Sequence, residues 1–222
     1  MHIEIKGISK QYGTNHVLMS TGLGCMGGTI VGILGANGSG KSTFLSILAR
    51  ILPGDGGKFL CDGVDLLKDP KLHARMVGYV PQNNPLMEEL TARDNLLLWY
   101  TREEMERELQ DGVLKYLGIG EFLNRQVSKL SGGMKKRLSI GCAMAKRPPI
   151  LLMDEPTAAL DLACKDWILS YLKAYKASGG VILLATHDAL ELDLCDHIYI
   201  LKHSFLQAYG YNGDLHKLVT KL

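Results

Sequence analysis

The amino-acid sequence predicts an α/β fold in which helices cover both faces of a mainly parallel sheet. Short apolar runs, with the length and composition of buried strands, recur along the chain with helical patterns between several of them. These runs occupy residues 30–34, 77–80, 150–153, 181–185 and 198–201. The interval from about residue 86 to residue 141 carries helical patterns and no convincing strand, which predicts a helical subdomain inserted into the sheet domain. A chain of 222 residues can bury a sizeable core, so we predict one domain over residues 1–222.

The two ends of the chain are less regular. Residues 3–6 alternate between apolar and polar side chains, as in a half-buried strand, and residues 9–15 predict a turn that contains Gly13. The glycine-rich run at 22–27 matches the GxGxxG pattern of dinucleotide-binding proteins, but it precedes a strand instead of following one. We therefore predict a loop there. Residues 209–214 predict a turn into a final helix.

Charge and composition argue against several classes of protein. The formal net charge is +2 with acids and bases interspersed, so we expect no nucleic acid, whose binding proteins carry a basic stripe. The first residues contain no apolar signal core, and the longest apolar runs are far too short to span a bilayer. The five cysteines are scattered and form no CxxC pair, which suits small core residues in a reducing compartment. We expect a polypeptide that is soluble by itself.

The strongest functional pattern lies between the apolar run at 30–34 and a helical run at 42–50. It reads Gly35-Ala36-Asn37-Gly38-Ser39-Gly40-Lys41-Ser42-Thr43, a phosphate-binding loop in its required strand-to-helix context. Glycines let consecutive backbone N–H groups converge on a phosphate at the positive end of a helix. Lys41 adds a full charge against the β- and γ-phosphates, and the Ser42 hydroxyl suits Mg²⁺. The residues that we predict to contact the nucleotide here are Gly35, Asn37, Gly38, Ser39, Gly40, Lys41, Ser42 and Thr43.

Two acids end the apolar run at 150–153. Asp154 and Glu155 follow it directly, at the carboxyl end of a predicted parallel strand. Because side chains alternate along a strand, we expect the two carboxylates to point in different directions and to take different tasks. Asp154 suits the Mg²⁺ shell beside Ser42, and Glu155 suits a water molecule that attacks the γ-phosphate. The alternative is a pair of solvated loop carboxylates without a chemical role.

A second helix start carries small residues and free N–H groups. The run Leu130-Ser131-Gly132-Gly133-Met134 precedes a helical pattern at 135–140. With these residues the sequence closely resembles the ATP-binding cassette (ABC) ATPases, whose signature is usually LSGGQ, with a Walker A loop before it and a Walker B strand after it. The resemblance covers nearly the whole length. It implies the ABC ATPase fold, a P-loop NTPase with an N-terminal antiparallel β portion beside the parallel core sheet.

Further positions match this family in order. By resemblance, Tyr12 stacks on adenine, and Gln82 reaches the metal and the attacking water. His187 contacts the γ-phosphate and holds the water, working with Glu155, while residues 159–161 correspond to the D-loop. Each side chain also has a structural alternative. Tyr12 can fill a gap beside the first strand, Gln82 can be a turn residue, and His187 can be a structural histidine.

The resemblance implies a head-to-tail dimer, either of two identical chains or of two different cassettes. In such a dimer, Ser131, Gly132 and Gly133 of one subunit cover the ATP that is held by the phosphate-binding loop of the other. The family therefore implies an ATPase that uses ATP and Mg²⁺, with in-line attack of water on the γ-phosphate. The implied catalytic residues are Glu155, His187 and Lys41, and the implied metal-binding residues are Ser42, Gln82 and Asp154.

The resemblance also implies partners. Single cassettes of this size are commonly peripheral subunits of transporters, which implies transmembrane permease subunits as separate chains and a location at the cytoplasmic face of the cell membrane. Candidates for a groove that receives a partner's helix are Leu86, Met87, Leu90, Trp99 and Tyr100. They can instead be core residues of the helical subdomain.

Met134, in place of the usual glutamine, resembles the branch that includes drug- and lipid-type exporters. Two rival functions stay open at this point. One is a soluble ABC ATPase that acts on ribosomes or DNA, and the other is a P-loop kinase.

Overall fold

The computed structural model describes residues 1–211 and 213–221. Within these ranges the strands are β1 (His2–Tyr12), β2 (Asn15–Met26), β3 (Ile30–Leu34), β4 (Gly56–Cys61), β5 (Val64–Asp65), β6 (Val77–Val80), β7 (Ile150–Asp154), β8 (Val181–Ala185), β9 (His197–Lys202) and β10 (Phe205–Tyr209). The helices are α1 (Lys41–Leu48), α2 (Pro70–Met76), α3 (Ala92–Leu97), α4 (Arg102–Asp111), α5 (Val113–Tyr116), α6 (Gly132–Ala143), α7 (Leu162–Ala177), α8 (Ala189–Leu192) and α9 (Leu215–Val219), with 3-10 turns at Ile119–Phe122 and Val127–Lys129.

The central sheet confirms the predicted fold class. Its strand order is β10-β9-β3-β8-β7-β6, and among the described strands only the edge strand β10 runs antiparallel to its neighbour. β3, β7 and β8 are buried along their whole length, which is why they consist of apolar residues almost without interruption. Their carboxyl ends meet at one edge of the sheet, where Asp154 pairs with Ala185.

A second sheet, antiparallel and in the order β2-β1-β4-β5, contains the N-terminal part of the chain. The strand predicted at 3–6 lies inside β1, which continues to Tyr12. Because Tyr12 pairs with Asn15, the turn is confined to residues 13–14, and the turn predicted at 9–15 is wrong in extent. Register shifts along β1 interrupt the alternation of apolar and polar side chains by which a strand is recognised in a sequence. The pairing of β1 with β2 nevertheless continues to Tyr12.

The loop predicted at 22–27 is also wrong for most of its length. Residues 22–26 belong to β2, and residues 23–26 pair with β1. A Cβ atom at Gly22 would lie 2.4 Å from the carbonyl oxygen of Ile5, so the glycine permits a close approach of the two strands. The glycine-rich pattern is therefore explained by strand packing, and it opens no helix.

Strands β4, β5 and β10 have no clear sequence pattern. β4 begins with two glycines and buries only Phe59 and Cys61, while no residue of the edge strand β10 is buried. β10 ends at Tyr209 and α9 begins at Leu215, so the predicted final turn lies between them. Asn212 within that turn, and Leu222 at the end of the predicted domain, lie outside the described residues.

The chain between β6 and β7 is helical in the structure, with α3 to α6 and the two 3-10 turns. These helices share one hydrophobic core with the central sheet: Leu96 and Leu138 of the helices belong to the same buried cluster as Leu151 and Met153 of β7. Tyr100 is part of this cluster and donates a hydrogen bond from its hydroxyl to the Gly141 carbonyl, at 2.7 Å. The prediction that Tyr100 lines an exposed groove is therefore wrong.

Two expectations from composition can be compared with the structure. All five cysteines are free thiols, of which Cys25 and Cys61 are buried as predicted and the others are half-buried. Among the described residues, we find no helix with the length and apolar character that crossing a bilayer requires.

Candidate active site

The phosphate-binding loop joins β3 to α1 at the carboxyl edge of the central sheet. Gly38 and Gly40 have φ angles of 79° and 106°, in the left-handed region that favours glycine. Gly40 precedes α1 and provides no side-chain cap, so the helix begins with uncapped N–H groups. A Cβ atom at Gly40 would lie 2.8 Å from the Cγ1 atom of Val17, which fixes the loop against β2. The loop therefore has the backbone that an anion site at a helix N-terminus requires.

Lys41 is buried within this loop. Its Nζ atom donates hydrogen bonds to the carbonyl oxygens of Gly35, at 2.6 Å, and Ala36, at 3.2 Å. Burial lowers the pKa of Lys41, while the charges of Glu155 and Asp154 raise it. The ammonium group thus lies between the glycine loop and the two acids, where it can neutralise a phosphate.

Asp154 ends β7 and is almost completely buried, with 3% of its surface exposed. Burial raises the pKa of its carboxyl group, whereas the Ser42 hydroxyl, which hydrogen-bonds to it, and the charges of Lys41 and Lys136 lower it. The site therefore brings together a carboxylate and a hydroxyl oxygen beside the phosphate-binding loop. These are hard oxygen donors of the kind that Mg²⁺ prefers, so the residues present fit a magnesium ion.

Glu155 leaves the strand in a left-handed conformation, with φ of 47°. Its backbone N–H is held by the Ala185 carbonyl oxygen at 2.9 Å. Its side chain accepts a hydrogen bond from the Gln82 amide at 3.0 Å and lies 3.9 Å from the Nε2 atom of His187. Asp154 and Glu155 therefore point to different partners, and the structure brings Gln82, Glu155 and His187 together.

His187 follows β8, with about a third of its side chain exposed (37%). Burial lowers the pKa of the imidazole, and the charge of Lys41 lowers it further, while Glu155 raises it. A lowered pKa keeps the ring neutral at pH 7, so one ring nitrogen can donate and the other can accept a hydrogen bond.

Several of these groups line a cavity of about 420 Å³, although Asp154 and His187 do not. It is lined by Val17, Asn37, Gly38, Gly40, Lys41, Ser42, Thr43, Gln82 and Glu155. Val17 has no motif in the sequence and was not predicted, because only the approach of β2 to Gly40 brings it to the site. Tyr12 is not among the lining residues: it lies at the end of β1, half exposed, with the Lys10 ammonium 5.3 Å from its ring centroid.

The second helix start lies away from this cavity. Ser131 caps α6, because its hydroxyl accepts a hydrogen bond from the Met134 N–H at 3.2 Å. Ser131 and Gly132 are exposed, and neither they nor Gly133 line the cavity. Gly133 is buried, and a Cβ atom there would lie 2.2 Å from the Cys164 sulfur, so this glycine allows α6 to pack closely against α7.

The D-loop positions, residues 159–161, lie between Glu155 and the start of α7. Asp161 caps α7 by accepting a hydrogen bond from the Cys164 N–H at 2.8 Å. Ala159 and His187 line a second pocket of about 220 Å³. Lys165 and Asp188, which form an ion pair, also line it. Apart from Tyr12, the predicted site residues thus form two groups, one around the phosphate-binding loop and one at the start of α6.

This combination defines a class of protein. A phosphate-binding loop between a parallel strand and a helix, with a buried aspartate and a following glutamate on a nearby strand, is the site of a P-loop nucleoside triphosphatase.

Comparisons with known proteins specify the family. The family model described as ABC transporter matches residues 18–158. The linearmycin resistance ATP-binding protein LnrL of Bacillus subtilis (strain 168) is 32% identical over 219 residues, which cover 96% of this chain and 70% of that protein. The Nod factor export ATP-binding protein I of Sinorhizobium fredii is 34% identical over 90% of this chain and 60% of its own length. The chain belongs to the ABC transporter family.

Solved structures agree with this assignment. A dimeric cassette, MJ0796, in a post-hydrolysis state with ADP and Pi has a TM-score of 0.79 at 29% identity, covering 94% of this chain and 100% of that one. A nucleotide-free cassette from an ABC transporter has a TM-score of 0.86 at 23% identity, over 99% and 96% of the two chains, and supports the fold alone. The chain is an ATP-binding and ATP-hydrolysing cassette of its family. It spans 70% and 60% of the two curated relatives named above.

Proposed function

We propose that this chain hydrolyses ATP between two cassettes arranged head to tail, and that dimer closure drives transport through separate membrane-spanning subunits. The observation that carries this proposal is the presence of two helix N-termini suited to phosphate, of which only the one at Gly40 lines the nucleotide cavity. The exposed start of α6, at Ser131 and Gly132, is available to a nucleotide that another cassette holds.

The cassette's own half of the site binds the triphosphate. The N–H groups of the loop and the ammonium of Lys41 hold the β- and γ-phosphates, and the Lys41 bonds to Gly35 and Ala36 exchange for bonds to phosphate. Tyr12 stacks on the adenine ring, as the family position implies. Val17, on the wall of the cavity, adds an apolar contact for the nucleoside.

Ser42, Asp154 and Gln82 are the residues that would hold Mg²⁺. When bound, the ion supplies positive charge to the β- and γ-phosphates. Burial raises the pKa of Asp154, and the charges of Lys41 and Lys136 oppose this rise by favouring the ionised form.

The reaction is in-line attack of water on the γ-phosphate. Glu155 is the group that orients the water and takes its proton, and its position depends on the hydrogen bond from Gln82. Neutral His187, 3.9 Å from Glu155, can hold the same water and contact the γ-phosphate. Catalysis consists mainly of positioning and of charge neutralisation by Lys41 and by the partner cassette's α6 end.

The substitution Glu155→Gln tests the dimer mechanism. We expect this variant to bind ATP and to accumulate a dimer in size-exclusion chromatography or small-angle scattering, because hydrolysis no longer opens it. Glu121→Gln, an exposed glutamate outside the site, is the matched control and retains turnover. A Glu155→Gln variant that hydrolyses at the native rate, or a protein that stays monomeric with a non-cleavable ATP analogue, contradicts the proposal.

A groove between the central sheet and the helical segment is the proposed docking site for a permease helix. It has a volume of about 540 Å³. Its walls are mainly apolar and include Leu86, Met87, Leu98 and Trp99, of which the last three are half or more exposed. Leu90, also a predicted groove residue, does not line it. We propose that a helix of the membrane partner fills this groove at the cytoplasmic face of the membrane.

The double substitution Leu86→Glu with Met87→Glu tests this docking site. We expect native ATP affinity and loss of co-purification with the membrane partner in detergent. Docking would bury the two introduced carboxylates in an apolar contact, which is costly. Val64→Glu, at an exposed apolar residue of β5 outside the groove, is the control. Loss of ATP binding in the double variant, or recovery of the wild-type chain with ribosomes instead of a membrane protein, contradicts the proposal.

The direction of transport that we propose is export. Met134 in the signature supports it, as do relatives named for linearmycin resistance and for Nod factor export. Relatives named for import reach a similar identity, such as 34% for a spermidine/putrescine import protein of Spiroplasma citri. Transport by the assembled complex in vesicles of defined orientation is the test, and ATP-driven movement toward the cassette side contradicts export.

A further inference from the structure

One charged side chain inside the molecule enters the mechanism above only through the effect of its charge on Asp154. Lys136 lies on α6 with 4% of its surface exposed. Its Nζ atom donates hydrogen bonds to two successive carbonyl oxygens, those of Pro81 and Gln82, each at 3.0 Å. Burial lowers the pKa of this lysine, whereas the charges of Asp154, Glu191 and Glu155 raise it. A buried ammonium needs such partners, because desolvation of an unpaired charge is costly.

The two neighbouring cations of α6 make different contacts. Lys135 pairs with Glu88 at the surface, at 2.6 Å. The Arg137 guanidinium lies over the rings of Phe122 and Trp167, at 5.1 Å and 5.2 Å from their centroids. Lys136 is thus the one of these three consecutive cations that hydrogen-bonds to the backbone of Pro81 and Gln82.

The contacts of Lys136 connect two parts of the proposed mechanism. α6 begins beside Ser131, where the partner cassette's ATP is expected. From Lys136 the connection continues through the backbone of Gln82 to its side-chain amide, which donates to Glu155 at 3.0 Å. A helix is stiff along its axis, so a displacement at its first turn moves Lys136, and with it the Gln82 carbonyl to which it is bonded.

We propose that Lys136 is a positioning residue that couples the start of α6 to Gln82, and through Gln82 to the water-activating Glu155. The proposal rests on the proposed function, since it assumes that α6 receives the partner's nucleotide. As a consequence, the ATP held by one cassette occupies the start of α6 in the second cassette and aligns Glu155 of that second cassette. Lys136 acts through Gln82 and does not line the nucleotide cavity.

The substitution Lys136→Met tests the coupling, since it keeps an unbranched side chain that is one heavy atom shorter and removes the donors. We expect kcat to fall by about 100-fold, as for a small misplacement of a catalytic group, with KM for ATP and the ATP affinity of the monomer changed by less than about twofold. Lys135→Met is the matched control, at the adjacent position of the same helix, and its kcat stays within about twofold of wild type. Lys136→Gln, which restores an N–H donor without charge, recovers part of the loss.

A double-mutant cycle with Gln82→Ala separates coupling from a general structural effect. If Lys136 acts through Gln82, Lys136→Met lowers kcat little further once Gln82→Ala is present. Full additivity of the two losses overturns the inference while the proposed function stands. A Gln82→Ala variant with native kcat removes the proposed role of Gln82, and the inference falls with it. If Lys136→Met does not accumulate as folded protein, Lys136→Gln enters the same cycle with the same two outcomes.

Discussion

The helix N-termini of α1 and α6 both carry serine and glycine residues, but their surroundings differ. At α1 the preceding residue is Gly40, which offers no side-chain cap, so the first N–H groups are left for a ligand. At α6 the preceding Ser131 bonds back to the Met134 N–H and satisfies part of that helix end within the chain. The first end lies in a cavity with Lys41 and Glu155, and the second lies exposed.

This difference explains how the work of the proposed dimer is divided. The α1 end has the buried Lys41 ammonium and a cavity to bind nucleotide in a single chain, whereas the α6 end is exposed and partly self-capped. We therefore expect binding to depend on α1 alone and turnover to depend on both. Changes at either helix end, or beside the cavity, test this division.

The largest effect is expected for Lys41→Met at the α1 end. Removal of the buried ammonium deprives the phosphates of the cationic side chain of the loop, so ATP affinity and kcat/KM both fall, the latter by at least about 1,000-fold. Isothermal titration with ATP and a phosphate-release assay measure the two quantities. Lys58→Met, at an exposed lysine of β4, is the control. Native ATP affinity in Lys41→Met would refute the assignment of the α1 end as the binding half.

A large side chain at the α6 end is expected to affect turnover alone. Ser131→Arg obstructs the surface offered to the other cassette, so kcat falls by about 100- to 1,000-fold, while the ATP affinity of the monomer is unchanged. Ser128→Arg, at an exposed serine three residues earlier, is the matched control. Equal loss of binding and turnover in Ser131→Arg would remove the distinction between the two ends.

The pH dependence of turnover is expected to follow His187. Its pKa is lowered by burial, so neutral His187 stabilises the folded protein above pH 6.5, and this contribution is lost as the pH falls through the lowered pKa. We expect kcat to decline in the same window below about pH 6.5. His187→Gln lowers kcat by about 10- to 100-fold at pH 8 and flattens that decline, as a pH-rate profile measures. A profile with the same acid limb in the variant assigns the decline to another group.

The smallest effect is expected for Ser131→Ala. Loss of the cap at α6 lowers the free energy of unfolding by about 1 kcal/mol, measured by urea denaturation. The urea m-value stays constant, since the surface exposed on unfolding is the same. No change in stability would mean that the α6 end is as open as the α1 end.

Sequence patterns predict the central sheet well and the second sheet poorly. β3, β6 and β8 have the predicted bounds because buried parallel strands are short apolar runs with clear ends. β2 passes through Gly22 and Gly24, and β10 buries nothing, so neither leaves such a run. These strands are specified by pairing with distant segments, which single-sequence patterns do not register.

The same distinction holds for the site. The residues of the phosphate-binding loop and the carboxylates at 154–155 are predictable, because phosphate chemistry requires those residue types at those places. Val17 and Lys136 are not, because their role depends on which chain segment packs against them. For Tyr100 the prediction of an exposed groove residue is wrong. Tyr100 is next to the exposed Trp99 in sequence, but the path of the chain buries its side chain in the core.

The shared core of the helical segment and the sheet has a practical consequence for protein engineering. Leu96 and Leu138 belong to the same buried cluster as Leu151 and Met153 of β7. Residues 86–141 taken alone would therefore expose the apolar surface whose burial stabilises their fold. A chimera that redirects the cassette to another transporter by exchanging this segment must therefore carry the facing residues of β7 with it. Specificity for a new membrane partner has to be transplanted together with part of the ATPase scaffold.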